Sequence, residues 1–156
     1  MTATFTIIVD SREQLPFDFT KFGVETVRAA MPSGDYEIVG MPEVAVERKS
    51  GSDLYGVMCV TTGRDRFQRE LERLREFEFS AVVVENLEQD LLSGMYGRMS
   101  PKSIKATLIA WQTRYPTQWV FCPTRAWAER TTYLLLERFW RDIQSGKRSA
   151  RETVPV

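Results

Sequence analysis

The feature that most restricts the fold is Ser80-Ala81-Val82-Val83-Val84, an essentially continuous apolar run flanked by charge. A strand of that composition is buried on both faces, so it belongs inside a sheet covered on either side. Neighbouring segments supply the cover. Arg64 to Phe77 sets Phe67, Leu71, Leu74 and Phe77 at three- and four-residue spacings, which predicts an amphipathic helix. Ser100-Pro101 opens a second helix lasting to about Tyr115, with Ser as N-cap and Pro at the first helical position. Trp119 to Phe121 reads as a short strand, and Thr124 caps a third helix running to about Ile143.

Upstream the pattern is strand-rich. Thr6 to Val9 predicts a strand ending at Asp10, followed by a loop from Ser11 to Pro16. Gly23 to Met31 holds a second strand, closed by the turn Pro32-Ser33-Gly34. Tyr36 to Val39 and Val44 to Glu47 alternate on either side of Gly40-Met41-Pro42, which predicts a hairpin. The whole reads as one α/β domain over 1–145, a mixed sheet with helices on both faces. A flexible polar tail is expected over 146–156.

Composition narrows the chemistry. The chain contains no histidine. That removes Ser-His-Asp and Cys-His catalysis, histidine-based zinc sites and the histidine general base. Cys59 and Cys122 stand far apart and are expected to be buried free thiols. A protein metal site must then be built from carboxylates and carbonyls, which suits Mg²⁺ or Mn²⁺. With 21 basic and 21 acidic residues, net charge neither demands nor forbids a nucleic-acid partner. No run is long and apolar enough to span a membrane, and the first residues do not read as a signal peptide. An intracellular, cytoplasmic protein is expected, with no nucleotide cofactor.

The reactive residues fall at strand ends. Asp10 ends the first strand, Asp35 begins another after a tight turn, and Glu47, Arg48 and Lys49 lie along its partner. Residues 47 and 49 share one face of a strand, while Arg48 points away. Asp35 and Glu47, aided by Asp10, make an oxygen site for a hard cation. Lys49 would orient a water molecule or touch a phosphate.

At this point the chain resembles the nuclease domain of the XPF-type structure-specific endonucleases, within the PD-(D/E)XK superfamily. Gly34-Asp35, then Glu47-Arg48-Lys49, then Asp53 follow that family's long signature. Val9-Asp10 with Arg12-Glu13, Gly63-Arg64 with Gln68, Val82-Val83-Val84-Glu85 and Cys122-Pro123-Thr124 fit as well, so the likeness spans roughly residues 5 to 143. The resemblance implies a restriction-endonuclease-like fold and metal-dependent cleavage of DNA at branched, flap or fork structures. It also implies catalytic roles for Arg48 and Asp53, a metal-site role for Glu13, and DNA contact by Arg64. Arg12, Lys102 and Lys105 are further expected DNA contacts, whereas Arg69 and Arg73 are expected on a solvated helix face. Family members carry a tandem helix-hairpin-helix module after this domain, and no segment of that length follows Ile143. Apolar residues on the last helix cover too wide an arc for one core stripe, so a homodimer through that helix is expected. The rival reading is a non-catalytic DNA-binding or scaffold module that keeps the nuclease fold.

Overall fold

The computed structural model of the protein describes residues 4–148. Its centre is a six-stranded sheet in the order β2-β1-β3-β4-β5-β6, made of β1 (Thr6–Asp10), β2 (Glu25–Ala29), β3 (Tyr36–Ile38), β4 (Met41–Lys49), β5 (Phe79–Val84) and β6 (Gln118–Phe121). β1 pairs in parallel with β2 and antiparallel with β3, and β3 pairs antiparallel with β4. β4, β5 and β6 are parallel neighbours. The sheet is therefore mixed, as expected. Among the described residues, five α-helices and a short 3-10 turn (Thr20–Phe22) complete the fold: α1 (Gly51–Cys59), α2 (Thr61–Leu74), α3 (Glu88–Leu92), α4 (Pro101–Arg114) and α5 (Arg125–Gln144).

β5 shows why two covering layers are needed. Val83 packs into one core with Tyr36, Val46 and the α5 residues Leu136 and Phe139. Val82 and Val84 enter the opposite core, with Leu54 of α1, Phe67 and Leu71 of α2, and Leu108 and Trp111 of α4. Ala81 through Val84 have no exposed surface. Helix starts follow local chemistry: Ser50, Ser100 and Thr124 accept backbone N–H bonds from Asp53, Ser103 and Trp127.

Several local expectations change. Met41 and Pro42 belong to β4, so the β3–β4 connection is tighter than a turn through Gly40-Met41-Pro42, and a bulge interrupts the pairing. α1 and α3 were not foreseen, α2 starts three residues earlier, at Thr61, and it stops at Leu74 instead of Phe77. Cys59 is exposed, while Cys122 is buried as expected. The expected tail begins docked. Arg148 pairs with Glu78 at 3.0 Å and lies over the Phe139 ring; residues 149–156 fall outside the described residues. Among the described residues, no helix is long and apolar enough to cross a membrane.

Candidate active site

The site begins with a turn. Gly34 has φ +81, a conformation that L side chains rarely adopt. This lets the chain reverse so that the Asp35 N–H reaches the Val46 carbonyl at 2.9 Å, while its own carbonyl accepts from the Asp10 N–H at 2.9 Å. Asp35 Oδ2 then accepts the Arg48 backbone N–H at 2.8 Å. Asp35 is thereby fixed against β1 and β4 by its backbone, and against β4 by its side chain as well.

From β4, Glu47 and Lys49 leave on one face and Arg48 on the other, as the two-residue strand period requires. Glu47 is 4% exposed, and its Oε2 is buried with no donor reaching it. The groups it meets are the carboxyls of Asp35 and Glu70, the latter from α2, so the hydrogen bonds open to it use a carboxyl's own proton. Burial, then the charges of Asp35 and Glu70, push Glu47 well above the usual carboxylate range, against the opposing pull of Lys49. Asp35 rises to about 6, chiefly through burial, with the Arg48 N–H pulling the other way and Glu13 and Glu70 adding repulsion. Lys49 Nζ lies 3.6 Å from Glu47 Oε1 and 4.9 Å from the centre of the Phe67 ring.

The reverse face of β4 carries an ion network. Arg48 Nε donates to Glu85 Oε1 at 2.6 Å, and Arg48 also stands 3.5 Å from Glu13 Oε1. Burial works against the Arg48 charge, but the hydrogen bond and charge of Glu85, with Glu13, outweigh it and raise its pKa. Arg125, the first residue of α5, donates to the same Glu85 oxygen at 3.0 Å and to the Leu15 and Pro16 carbonyls. The loop after β1 is thus locked to β5 and α5 around Arg48.

The expected residues divide into groups. Asp35, Glu47 and Lys49 are brought together, with Glu13 near enough to raise Asp35. Asp10 ends on the neighbouring strand, but its oxygens take the Met31 N–H at 3.1 Å and Arg12 Nε at 3.0 Å. Arg12 is 73% exposed and senses the charges of Asp35 and Glu70 more weakly than that of Asp10. Asp53 sits exposed in the first turn of α1. Arg64 spans helices, donating to the Met58 carbonyl at 3.2 Å and Thr107 Oγ1 at 3.1 Å beside Trp111. Lys102 is exposed on α4, and Lys105 pairs with Glu88 at 2.6 Å.

Glu70, Glu85 and Arg125 were not singled out as site residues. Glu70 carried a readable signal: it stands three residues after Phe67 and four before Leu74, at the edge of the apolar stripe where a solvated charge does not belong.

Among the described residues, no three or more Asp, Glu, Cys or His side chains are arranged as a ready cation cage. The donor chemistry nonetheless suits a hard divalent cation, because Glu47 Oε2 is buried without a hydrogen-bond partner and the Asp35 and Glu70 carboxyls are close enough to perturb Glu47.

No curated protein matches the chain. Among the solved structures similar in fold are two of one archaeal protein. XPF from Aeropyrum pernix is 22% identical with a TM-score of 0.71, over 91% of this chain and 68% of that one. The same protein solved in complex with DNA is 23% identical with a TM-score of 0.68, over 94% and 68% of the two chains. The ERCC4 domain model matches residues 9–135, which contain every residue of the acid–lysine cluster, and the chain belongs to that family of nuclease domains.

Proposed function

We propose that the protein is an Mg²⁺- or Mn²⁺-dependent DNA endonuclease that cuts at branched, flap or fork structures. The observation that carries this reading is the buried Glu47 with an unpartnered oxygen, close enough to Asp35 and the half-buried Glu70 to be perturbed by both, and with Lys49 beside it. These three acids would hold the ion, with Glu47 Oε2 the oxygen freest to turn to it. Asp10 and Glu13 stand at the margin and would join by releasing Met31 and Arg48. When bound, the ion would neutralise charge on a phosphate and make a water molecule more acidic.

Lys49 positions the attacking water or a phosphate oxygen, its ammonium steadied by the Phe67 face and by Glu47. Arg48 acts as a positioning residue, because its backbone N–H orients Asp35 while its guanidinium binds Glu85 and Glu13 on the far face. The Asp53 carboxylate supports the start of α1, which follows directly from the strand that carries Lys49. Arg12, exposed at the rim, is suited to a phosphate of the DNA, and Lys102 adds a free charge on α4. Arg64 and Lys105 would first have to release Thr107 and Glu88.

A homodimer through α5 completes the reading. Leu135, Trp140 and Ile143 are partly buried against the core, yet Trp127 and Leu134 remain 55% and 49% exposed seven residues apart on one helix face. Cleavage of labelled linear, flap, fork and four-way DNAs, with Mg²⁺ or with EDTA, tests the chemistry. Flap or fork DNA should be cut only with metal, and Lys49→Met should lower the rate at least about a hundredfold. Undiminished cutting in EDTA, or full activity of Lys49→Met, would reject the mechanism.

A further inference from the structure

Beside the acid cluster lies a second site made from the same two elements. Two residues along from Asp35, β3 carries Glu37; one turn on from Glu70, α2 carries Arg73. Between them is a cavity of about 380 Å³ bordered by Pro32, Ser33, Glu37, Pro42, Arg73, Glu76 and Phe77, with a largely apolar wall. Glu37 is 8% exposed, and among the described residues no hydrogen bond reaches its carboxyl. Ser33 is 4% exposed, and its Oγ accepts from Arg73 Nε at 3.0 Å, which holds the guanidinium at the rim. Arg73 is exposed, as expected, and is tied to Ser33 besides. None of these groups has a part in holding a cation or positioning a water molecule.

A volume of this size falls within the ~300–1,000 Å³ of small-ligand sites, which pair apolar walls with a few fixed polar groups. Its position restricts the ligand. A strand rises about 3.3 Å per residue, so Glu37 lies roughly 7 Å along β3 from Asp35. One nucleotide of an unstacked DNA strand can cover that distance. A paired, stacked base cannot enter, because its faces and its edge are already occupied. An unpaired nucleotide offers the flat face of its base to Phe77, an amino edge to the Glu37 carboxyl and its phosphate to Arg73 at the rim.

We propose that this cavity takes one unpaired nucleobase, from the nucleotide adjoining the phosphate bound beside Lys49. The choice of ligand rests on the nuclease reading. The site makes an unpaired nucleotide beside the cut a requirement for tight binding.

Fluorescence anisotropy in EDTA tests this, using a labelled duplex with a short single-stranded flap and the same DNA made abasic at each unpaired position in turn. One abasic position should weaken binding to the wild-type protein about tenfold, and in Phe77→Leu that penalty should shrink to about twofold. Glu37→Gln, which keeps the shape, should lose preference for bases with an exocyclic amino group over thymine. Equal binding of intact and abasic DNAs, no binding of any, or an undiminished penalty in both variants overturns the proposal. Cleavage of the same DNAs in Mn²⁺ separates the two readings. Cutting with no abasic penalty in binding removes the pocket and leaves the nuclease; an abasic penalty without cutting does the reverse.

Discussion

Glu47 is the residue on which the molecule's stability and its chemistry oppose each other. It is buried against two other acids with one oxygen unserved, an arrangement that costs stability unless a proton or a cation fills the space. The sign of the resulting pH dependence follows from the direction of the shifts. Asp35 moves from 3.8 to about 6 on folding, Glu47 moves up as well, and Glu37 rises to about 7 through burial and the charge of Glu43. The folded protein therefore holds protons that the unfolded chain has released. That stabilisation is complete below about pH 4 and is lost as pH rises through about 6 to 7. Melting of the metal-free protein should accordingly shift to lower temperature across this range, and Mn²⁺ should restore it near pH 8. Glu47→Gln should flatten the trend and add about 1–2 kcal/mol at that pH. A pH-independent melt would remove the buried-acid account. Calorimetric titration of Mn²⁺ into Glu70→Gln should show binding weakened about tenfold or more, whereas unchanged binding would exclude Glu70 as a ligand. Asp35, Glu47 and Lys49 were legible because strand alternation and the Gly34 turn place them locally. Glu70 left only the local hint of its place beside the apolar stripe, because its membership depends on α2 packing over β4 and β5, a contact whose β4 partner lies more than twenty residues away in the chain.

At the scale of elements, legibility followed length and regularity. β5, α2, α4 and α5 could be read because their apolar periods are sustained or their caps are strong. α1 was hidden by its composition, since Gly51 and Gly56 both stand inside a helix of nine residues, whose buried apolar side chains are Leu54, Val57 and Met58. α3 spans five residues, too few for a period to show. The two glycines of α1 predict opposite outcomes. A Cβ at Gly51 would stand 2.4 Å from Asn86 Oδ1 and from the Tyr96 hydroxyl, whereas one at Gly56 would meet nothing within 4 Å. Gly51→Ala should therefore cost about 1–3 kcal/mol in urea unfolding, because the loop after β5 must move. Gly56→Ala should gain about 0.5–1 kcal/mol from helix propensity. Equal effects of the two changes would contradict the packing of that loop on α1.

At the scale of the whole molecule, two cores meet across one sheet, and β5 contributes to both. The α/β class and the mixed sheet followed from one doubly buried strand and an antiparallel beginning. The ion network that ties the β1 loop to β5 and α5 through Arg48, Glu85 and Arg125 could not be read, because it joins residues up to 110 apart. α5 supplies the test of assembly: sedimentation at micromolar protein should give a dimer that Trp127→Ser and Leu134→Ser dissociate. A monomeric wild-type protein would remove that interface. The central claim is that the acids gathered under α2 serve cleavage of DNA. Its most direct measurement is the rate at which labelled flap DNA is cut in Mg²⁺ by the wild-type protein and by Asp35→Asn. The wild-type protein should cut, while the folded variant should be slower by at least about a hundredfold. Equal rates, or no cutting of any DNA by the wild-type protein, would contradict it.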